Sequence, residues 1–183
     1  MKKMILLVAF FLPIFAFVLS FESQAQSLED IKMQMVKDWQ RAKAYTVDYL
    51  NTMPADKYSF KAADSIRSFA QQMLHLSQIN GFLMSNATDQ KPPSFITGDL
   101  EHSAGAQKKD SVMYYVTTSY DYCISAVKNL EVKKWGEKKK IFKYEETRFA
   151  LMNKAFEHQT HHRGQTTIYI RLVGIKPPGE RLF

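Results

Sequence analysis

The chain has 183 residues, of which 45% are hydrophobic and 23% charged, with seven glycines, six prolines and a formal net charge of +7. This length and composition fit one compact domain with a sizeable core, and they exclude bulk disorder and collagen-like or low-complexity structure. The single cysteine excludes an intrachain disulfide framework and a cysteine-rich zinc module.

The first 25 residues have the three-part layout of a secretory signal peptide. Lys2 and Lys3 precede an uncharged apolar run from Met4 to Leu19, and Ser23-x-Ala25 supplies the small residues of a cleavage site. The alternative is a membrane anchor, but a run of 16 residues is shorter than the ~20 that span a bilayer. We therefore expect a signal peptide over 1–25 and a domain over 26–183. The mature protein would be exported, either periplasmic or secreted, with no stable membrane anchor after cleavage.

Four stretches of the mature chain have the hydrophobic period of amphipathic helices, and none has the alternation of a convincing strand. In the first stretch, apolar and aromatic residues recur at steps of three and four from Ile31 to Met53. Ser27 can cap its start, and Pro54 stops it. The predicted helices cover about residues 28–53, 65–84, 111–130 and 146–173.

The connection between the second and third predicted helices is the longest. It runs from Asn86 to Asp110 and contains two prolines and two glycines. A link of this length can cross a bundle, whereas short links join antiparallel neighbours. The sequence therefore predicts an all-α four-helix bundle in which the second and third helices run parallel.

Basic residues concentrate between the third and fourth predicted helices, from Lys133 to Lys143, with Trp135 among them. One interpretation is a nucleic-acid or acidic-surface patch. Interleaved glutamates and the predicted export favour a solvated loop instead, so we expect no nucleic-acid partner. Cys123 lies in the third predicted helix between apolar and aromatic neighbours, which favours a buried thiol.

The fourth predicted helix carries two histidines four residues apart, His158 and His162, which therefore project from the same face. They fall on the predicted inner stripe of the helix, where an unpaired polar group is costly. His75 is the helical histidine outside this helix, although it lies one residue off the stripe traced on the second helix. Three histidines on facing helices are typical of a metal centre with an open coordination position. The alternative is that these histidines are hydrogen-bonded core or surface residues without a metal.

Three further polar residues lie near this pattern in the sequence. His161 is about 100° round the helix from His162, so it is expected in the second shell of the site or in solvent. Gln165 is about one turn beyond His162 on the same stripe and could hydrogen-bond a metal-bound ligand. His102 lies in the long connection and is not expected to be a ligand.

Several segments together carry a family resemblance: Glu157-His158-x-x-His161-His162-Arg163-Gly164-Gln165, segments 169–172 and 174–178, and 53–60, 65–69 and 75–76 further upstream. They resemble the signature of the DinB/YfiT-like metalloenzyme family. The resemblance implies a four-helix bundle in up-down-down-up order and a divalent metal, often nickel or zinc, at His75, His158 and His162. It also implies thiol-dependent transferase or isomerase relatives, many of which form homodimers.

The leading hypothesis is an exported metal-dependent enzyme that acts on an unknown small molecule by thiol-dependent transferase or hydrolase chemistry. The alternative hypothesis is a helical bundle that binds a metal or a small molecule without turnover. A third interpretation is a protein-interaction bundle whose metal site has decayed, but the three intact histidines argue against it.

Overall fold

The computed structural model describes residues 27–183, so the predicted signal peptide and its cleavage site lie outside the described residues. The helices are α1 (Leu28–Thr52), α2 (Phe69–Thr88), α3 (Lys109–Asn129) and α4 (Arg148–Leu172). Two short strands, β1 (Lys138–Ile141) and β2 (Tyr144–Thr147), lie between α3 and α4. Within 27–183, no helix is long and apolar enough to cross a membrane.

The ends of α1 and α4 follow from local sequence. The Ser27 hydroxyl accepts from the amide of Asp30, and the Asp30 carboxylate accepts from the amide of Ser27, which forms a capping box at the start of α1. Helix α1 ends just before Pro54, as predicted. Gly174 follows α4 with a φ of +82°, a conformation that costs glycine little.

Side-chain contacts fix the directions of the helices. Trp39 packs on Phe156, and Tyr49 bonds to Thr167, so α1 and α4 run in the same direction. Lys43 binds Asp121, whereas Lys109 reaches the main chain of Asn51 and Met53, so α3 runs antiparallel to α1. Gln72 binds His162 and Arg148 binds the carbonyl of Ala87, so α2 runs antiparallel to α4. Helices α2 and α3 are therefore parallel, and the predicted up-down-down-up order is confirmed.

Helix α2 begins later and ends later than predicted. It starts at Phe69 rather than Ser65, because Ser68 and Gln71 form the capping box. The amides of Phe69 and Ala70 bond back to the preceding loop at Phe60 and Tyr58, which fixes this entry. At its other end, the helix continues through Gly81 to Thr88.

The expectation that the chain has no strand is wrong between α3 and α4. Strands β1 and β2 pair antiparallel, with Lys140 opposite Glu145, and enclose a two-residue turn. Phe142 occupies the first turn position with a φ of +53°, where glycine is usually favoured. The lysines of this region are largely exposed, and Lys138 pairs with Glu145 at 3.3 Å, which agrees with a solvated segment.

The core lies between all four helices. Trp39 of α1 and Tyr120 of α3 are fully buried and meet edge to face. The hydroxyl of Tyr120 donates to Gln159 of α4, which also accepts from Arg163. Cys123 is fully buried, as predicted, and burial raises the pKa of its thiol well above the usual value.

Candidate metal centre

The three predicted histidines meet between α2 and α4. His75 comes from α2, and His158 and His162 come from adjacent turns of α4. One nitrogen of each ring lies within 4.8 Å of those of the other two. The ring centroids are 4.3 to 5.2 Å apart. This is a cluster that could hold one metal ion, because its members converge from two facing helices.

A carboxylate from the long connection orients His75. The Nδ1 of His75 donates to the Oε1 of Glu101 at 2.8 Å, since a carboxylate can only accept. In the neutral imidazole of His75, Nε2 is then the nitrogen with the free lone pair. The other oxygen of Glu101 accepts from Nε of Arg67 at 2.5 Å. Burial alone would raise the pKa of Glu101, but the hydrogen bonds from Arg67 and His75 lower it below the usual value.

An amide orients His162 in the same way. The Nδ1 of His162 donates to the Oε1 of Gln72 at 2.7 Å, which leaves Nε2 as the unprotonated nitrogen. The side-chain nitrogen of Gln72 contacts the hydroxyl of Tyr169 at 3.5 Å. That hydroxyl donates to the main-chain oxygen of Arg67 at 2.7 Å. Hydrogen bonds to ligating imidazoles of this kind fix the tautomer and the ring orientation.

His158 differs from His75 and His162, because its buried Nδ1 has no hydrogen-bond partner among residues 27–183. An unsatisfied nitrogen inside a core stripe costs free energy. A cation bound by this nitrogen would remove that cost. The donor set of three imidazoles therefore fits a divalent transition metal, for which imidazole is a preferred ligand.

The electrostatics of the cluster keep two of the rings neutral. Burial lowers the pKa of His158 to about 4, and the neighbouring His75 adds to the shift. Burial and the neighbouring histidines lower the pKa of His162 to about 3. Both rings are therefore unprotonated at neutral pH, and metal binding requires this state.

The other polar residues named from the sequence lie around the cluster, not in it. His161 is exposed, and its Nε2 lies 3.0 Å from the side-chain nitrogen of Gln165. The buried Oε1 of Gln165 has no partner among the described side chains and main chain. His102 is exposed in the connection, where it pairs with Asp99 at 2.7 Å.

A cavity of about 680 Å³ opens beside the cluster. His161, His162 and Gln165 form one side of it, and Arg67 and Glu101 lie on its wall. Most of the lining residues are polar, so the cavity suits a polar molecule rather than a lipid. A small molecule inside it can reach His162 directly.

A sequence model of the DinB family matches residues 23–181, which is nearly the whole chain. The chain belongs to the DinB family. No curated protein matches it.

Two solved structures are similar to this DinB family chain. A DinB-like protein from Bacillus cereus superposes with a TM-score of 0.68 at 15% identity, covering 80% of this chain and 95% of its own. A DinB-like protein from Bacillus subtilis superposes with a TM-score of 0.62 at 19% identity, covering 82% of this chain and 96% of its own. At these identities the likeness shows a shared fold.

Three residues that shape the site in this DinB family chain were missed from the sequence: Arg67, Gln72 and Glu101. Gln72 carried a usable signal, because it precedes His75 by three positions and so lies on the same side of α2. Glu101 carried none, because it lies in the long connection, and Arg67 fell inside the predicted second helix although it lies in the loop before α2. Their approach to His75 depends on how the long connection folds back over the bundle.

Proposed function

We propose that this DinB family chain is a metal-dependent enzyme, with one divalent ion, nickel or zinc, held by His75, His158 and His162. The observation that carries the proposal is the convergence of three imidazoles, two of them oriented by Glu101 and Gln72 so that Nε2 remains free. The substrate is a small polar molecule that binds in the adjoining cavity.

The ligand count supports an enzyme more than a structural site. Structural zinc sites have four protein ligands, whereas catalytic sites have three and leave a position for water or substrate. The cluster of His75, His158 and His162 supplies three protein ligands. Its neighbour Glu101 is engaged with His75 and Arg67, so it serves to orient the site rather than to complete it.

A bound divalent ion acts as a Lewis acid and lowers the pKa of a coordinated water or thiol. The chain supplies the rest. Glu101 and Gln72 hold two of the rings in the required tautomer. His161 and the amide of Gln165 lie on the cavity wall, where they can hydrogen-bond the substrate, and the imidazole of His161 can exchange a proton with it. These features support either hydrolysis or thiol transfer.

A non-catalytic metal or small-molecule binder is the second candidate function. One observation favours it: Glu101, the carboxylate in contact with the cluster, already accepts from His75 and Arg67 and is not free to act as a general base. Turnover would then rely on His161 or on a group brought by the substrate.

Export and dimer formation are separate proposals. The Lys2-Lys3 start, the apolar run and Ser23-x-Ala25 support export to the periplasm or the medium. N-terminal sequencing of protein from its native host should give a mature start near Gln26, whereas an intact Met1 on soluble material would contradict export. The homodimer rests on the family resemblance, and light scattering of the mature protein tests it.

Metal analysis and turnover together test the proposed function. The mature protein should bind one nickel or zinc ion per chain after metal loading. The loaded protein should hydrolyse an activated ester or conjugate a small thiol to an electrophile, and both a chelator and His158→Ala should abolish that activity. Metal binding without turnover on either substrate class would favour the binder. Failure to bind either metal would contradict both the enzyme and the metal binder, and would leave only a binder of small molecules.

A further inference from the structure

We propose that Arg67 forms a carboxylate-binding subsite beside the three-histidine cluster. The molecule bound there would carry a carboxylate close to the atom that approaches the metal. This inference rests on the proposed function, because it names the chemical class of substrate for the same site.

Arg67 is held in place from two directions. It lies just before Ser68, the residue that caps α2. Its main-chain oxygen accepts from the hydroxyl of Tyr169 at 2.7 Å, which ties it to α4. Its Nε donates to Glu101 at 2.5 Å, which fixes the plane of the guanidinium. A side chain anchored in this way loses little further entropy when it binds a ligand.

The outer part of the guanidinium is free. Of the three guanidinium nitrogens of Arg67, only Nε donates a hydrogen bond to a residue in 27–183, so both terminal nitrogens keep their donors. The side chain is 40% exposed and lies on the cavity wall. Two parallel N–H groups of this kind match the two oxygens of a carboxylate better than a lysine does.

The guanidinium also lies near the metal-binding cluster. A single carboxylate, that of Glu101, lies between Arg67 and the ring of His75. Arg67 and His162 also line the same cavity. A molecule of a few atoms can therefore contact the cluster and Arg67 at once.

The remaining charges on the cavity wall do not cancel this preference. Glu101 is already paired with two donors. Lys61 and Asp64 are exposed residues of the lining, where their opposite charges offset each other and water screens them. Arg67 is therefore the charged group with free donors that lies beside the histidines.

Small thiols provide the test, because thiolate binds divalent ions such as Co²⁺ and Zn²⁺ and the rest of the molecule can be varied. The protein is loaded with Co²⁺, and its visible absorption is followed during titration with 3-mercaptopropionate, thioglycolate or 2-mercaptoethanol. Affinities are compared on the basis of thiolate concentration. The first two ligands carry a carboxylate and the third a hydroxyl. We expect the wild type to bind 3-mercaptopropionate about tenfold more tightly than 2-mercaptoethanol. This is the contribution of one hydrogen bond between charged groups, reduced because Arg67 is partly exposed to water.

A carboxylate can also chelate the ion itself, so the variants decide the test. Arg67→Gln should abolish the preference while cobalt content stays at the wild-type level, and Arg67→Lys should keep part of it. Lys61→Gln is the matched control and should change the preference less than about twofold. An undiminished preference in Arg67→Gln would overturn the inference and leave the metal centre intact.

Two further outcomes separate this inference from the proposed function. If Arg67→Gln loses cobalt through its contact with Glu101, then Arg67→Lys decides: a reduced preference supports the subsite, and an unchanged one overturns it. Cobalt content is measured before any thiol is added. A wild-type protein that takes up no cobalt would contradict the proposed metal centre.

Discussion

Glu101 provides the sharpest test of how the site is oriented. Its side chain is only 18% exposed and accepts from His75 at 2.8 Å and from Arg67 at 2.5 Å. Loss of such a partner weakens metal binding about 10- to 100-fold, which is about 1.4 to 2.7 kcal/mol. We expect Glu101→Ala near the upper end of this range, because it frees both His75 and Arg67.

Glu101→Gln should have an intermediate effect. Its amide oxygen can still accept from Nδ1 of His75, but its NH₂ group then faces the N–H of Arg67, and two donors cannot bond to each other. We expect a loss of about tenfold in zinc affinity. The order of affinity should therefore be wild type, then Glu101→Gln, then Glu101→Ala.

Competition with a chromophoric zinc chelator at neutral pH measures these affinities. Glu157→Gln is the matched control, because this substitution removes the same charge from an exposed residue that directly precedes His158. It should bind zinc as the wild type does. Equal affinities for the wild type and both Glu101 variants would refute the argument that this carboxylate orients His75.

Three other predictions follow from burial. Below about pH 6.5, histidines of the unfolded chain take up protons that folded His158 and His162 resist, so the metal-free protein should lose about 2 to 4 kcal/mol of stability between pH 7 and 5. Urea unfolding measures this loss, and replacing both histidines with glutamine should make the free energy of unfolding depend less on pH. Arg163→Met should lower the free energy of unfolding by about 2 kcal/mol, because it removes a buried hydrogen bond and a cation–π contact, whereas exposed Arg171→Met should change it little. Cys123 should react with a thiol reagent only after unfolding, and rapid modification of the native protein would contradict its burial.

The four helices and their order could be predicted because hydrophobic period, caps and link lengths are local signals. The start of α2 could not be predicted with the same accuracy. Ser65 and Ser68 are both plausible caps by sequence, and the choice depends on the contacts that Phe69 and Ala70 make with the preceding loop. A glycine inside a helical pattern usually weakens the prediction of a helix, and Gly81 lies near the predicted end of α2. In the structure the side chain of Ile96 packs directly over Gly81, so this glycine serves packing.

The hairpin was missed because its turn lacks the usual residues. Two-residue turns are recognised by glycine or asparagine, whereas this turn contains Phe142 and Lys143. The offset of His75 from the predicted stripe has a different cause. Helix α2 packs against both α3 and α4, so its buried surface is broader than one stripe. His75 lies on the part of that surface that faces α4.

Metal content of single histidine variants tests the central claim most directly. His75→Ala, His158→Ala and His162→Ala should each lose stoichiometric zinc. Each should also lose the rise in melting temperature that zinc gives the wild type, roughly 5–10 °C at a hundredfold excess over the dissociation constant. His161→Ala is the matched control and should keep both, because its ring lies outside the cluster. If His161→Ala loses the metal while His162→Ala retains it, or if none of the four variants changes metal content, the account is contradicted.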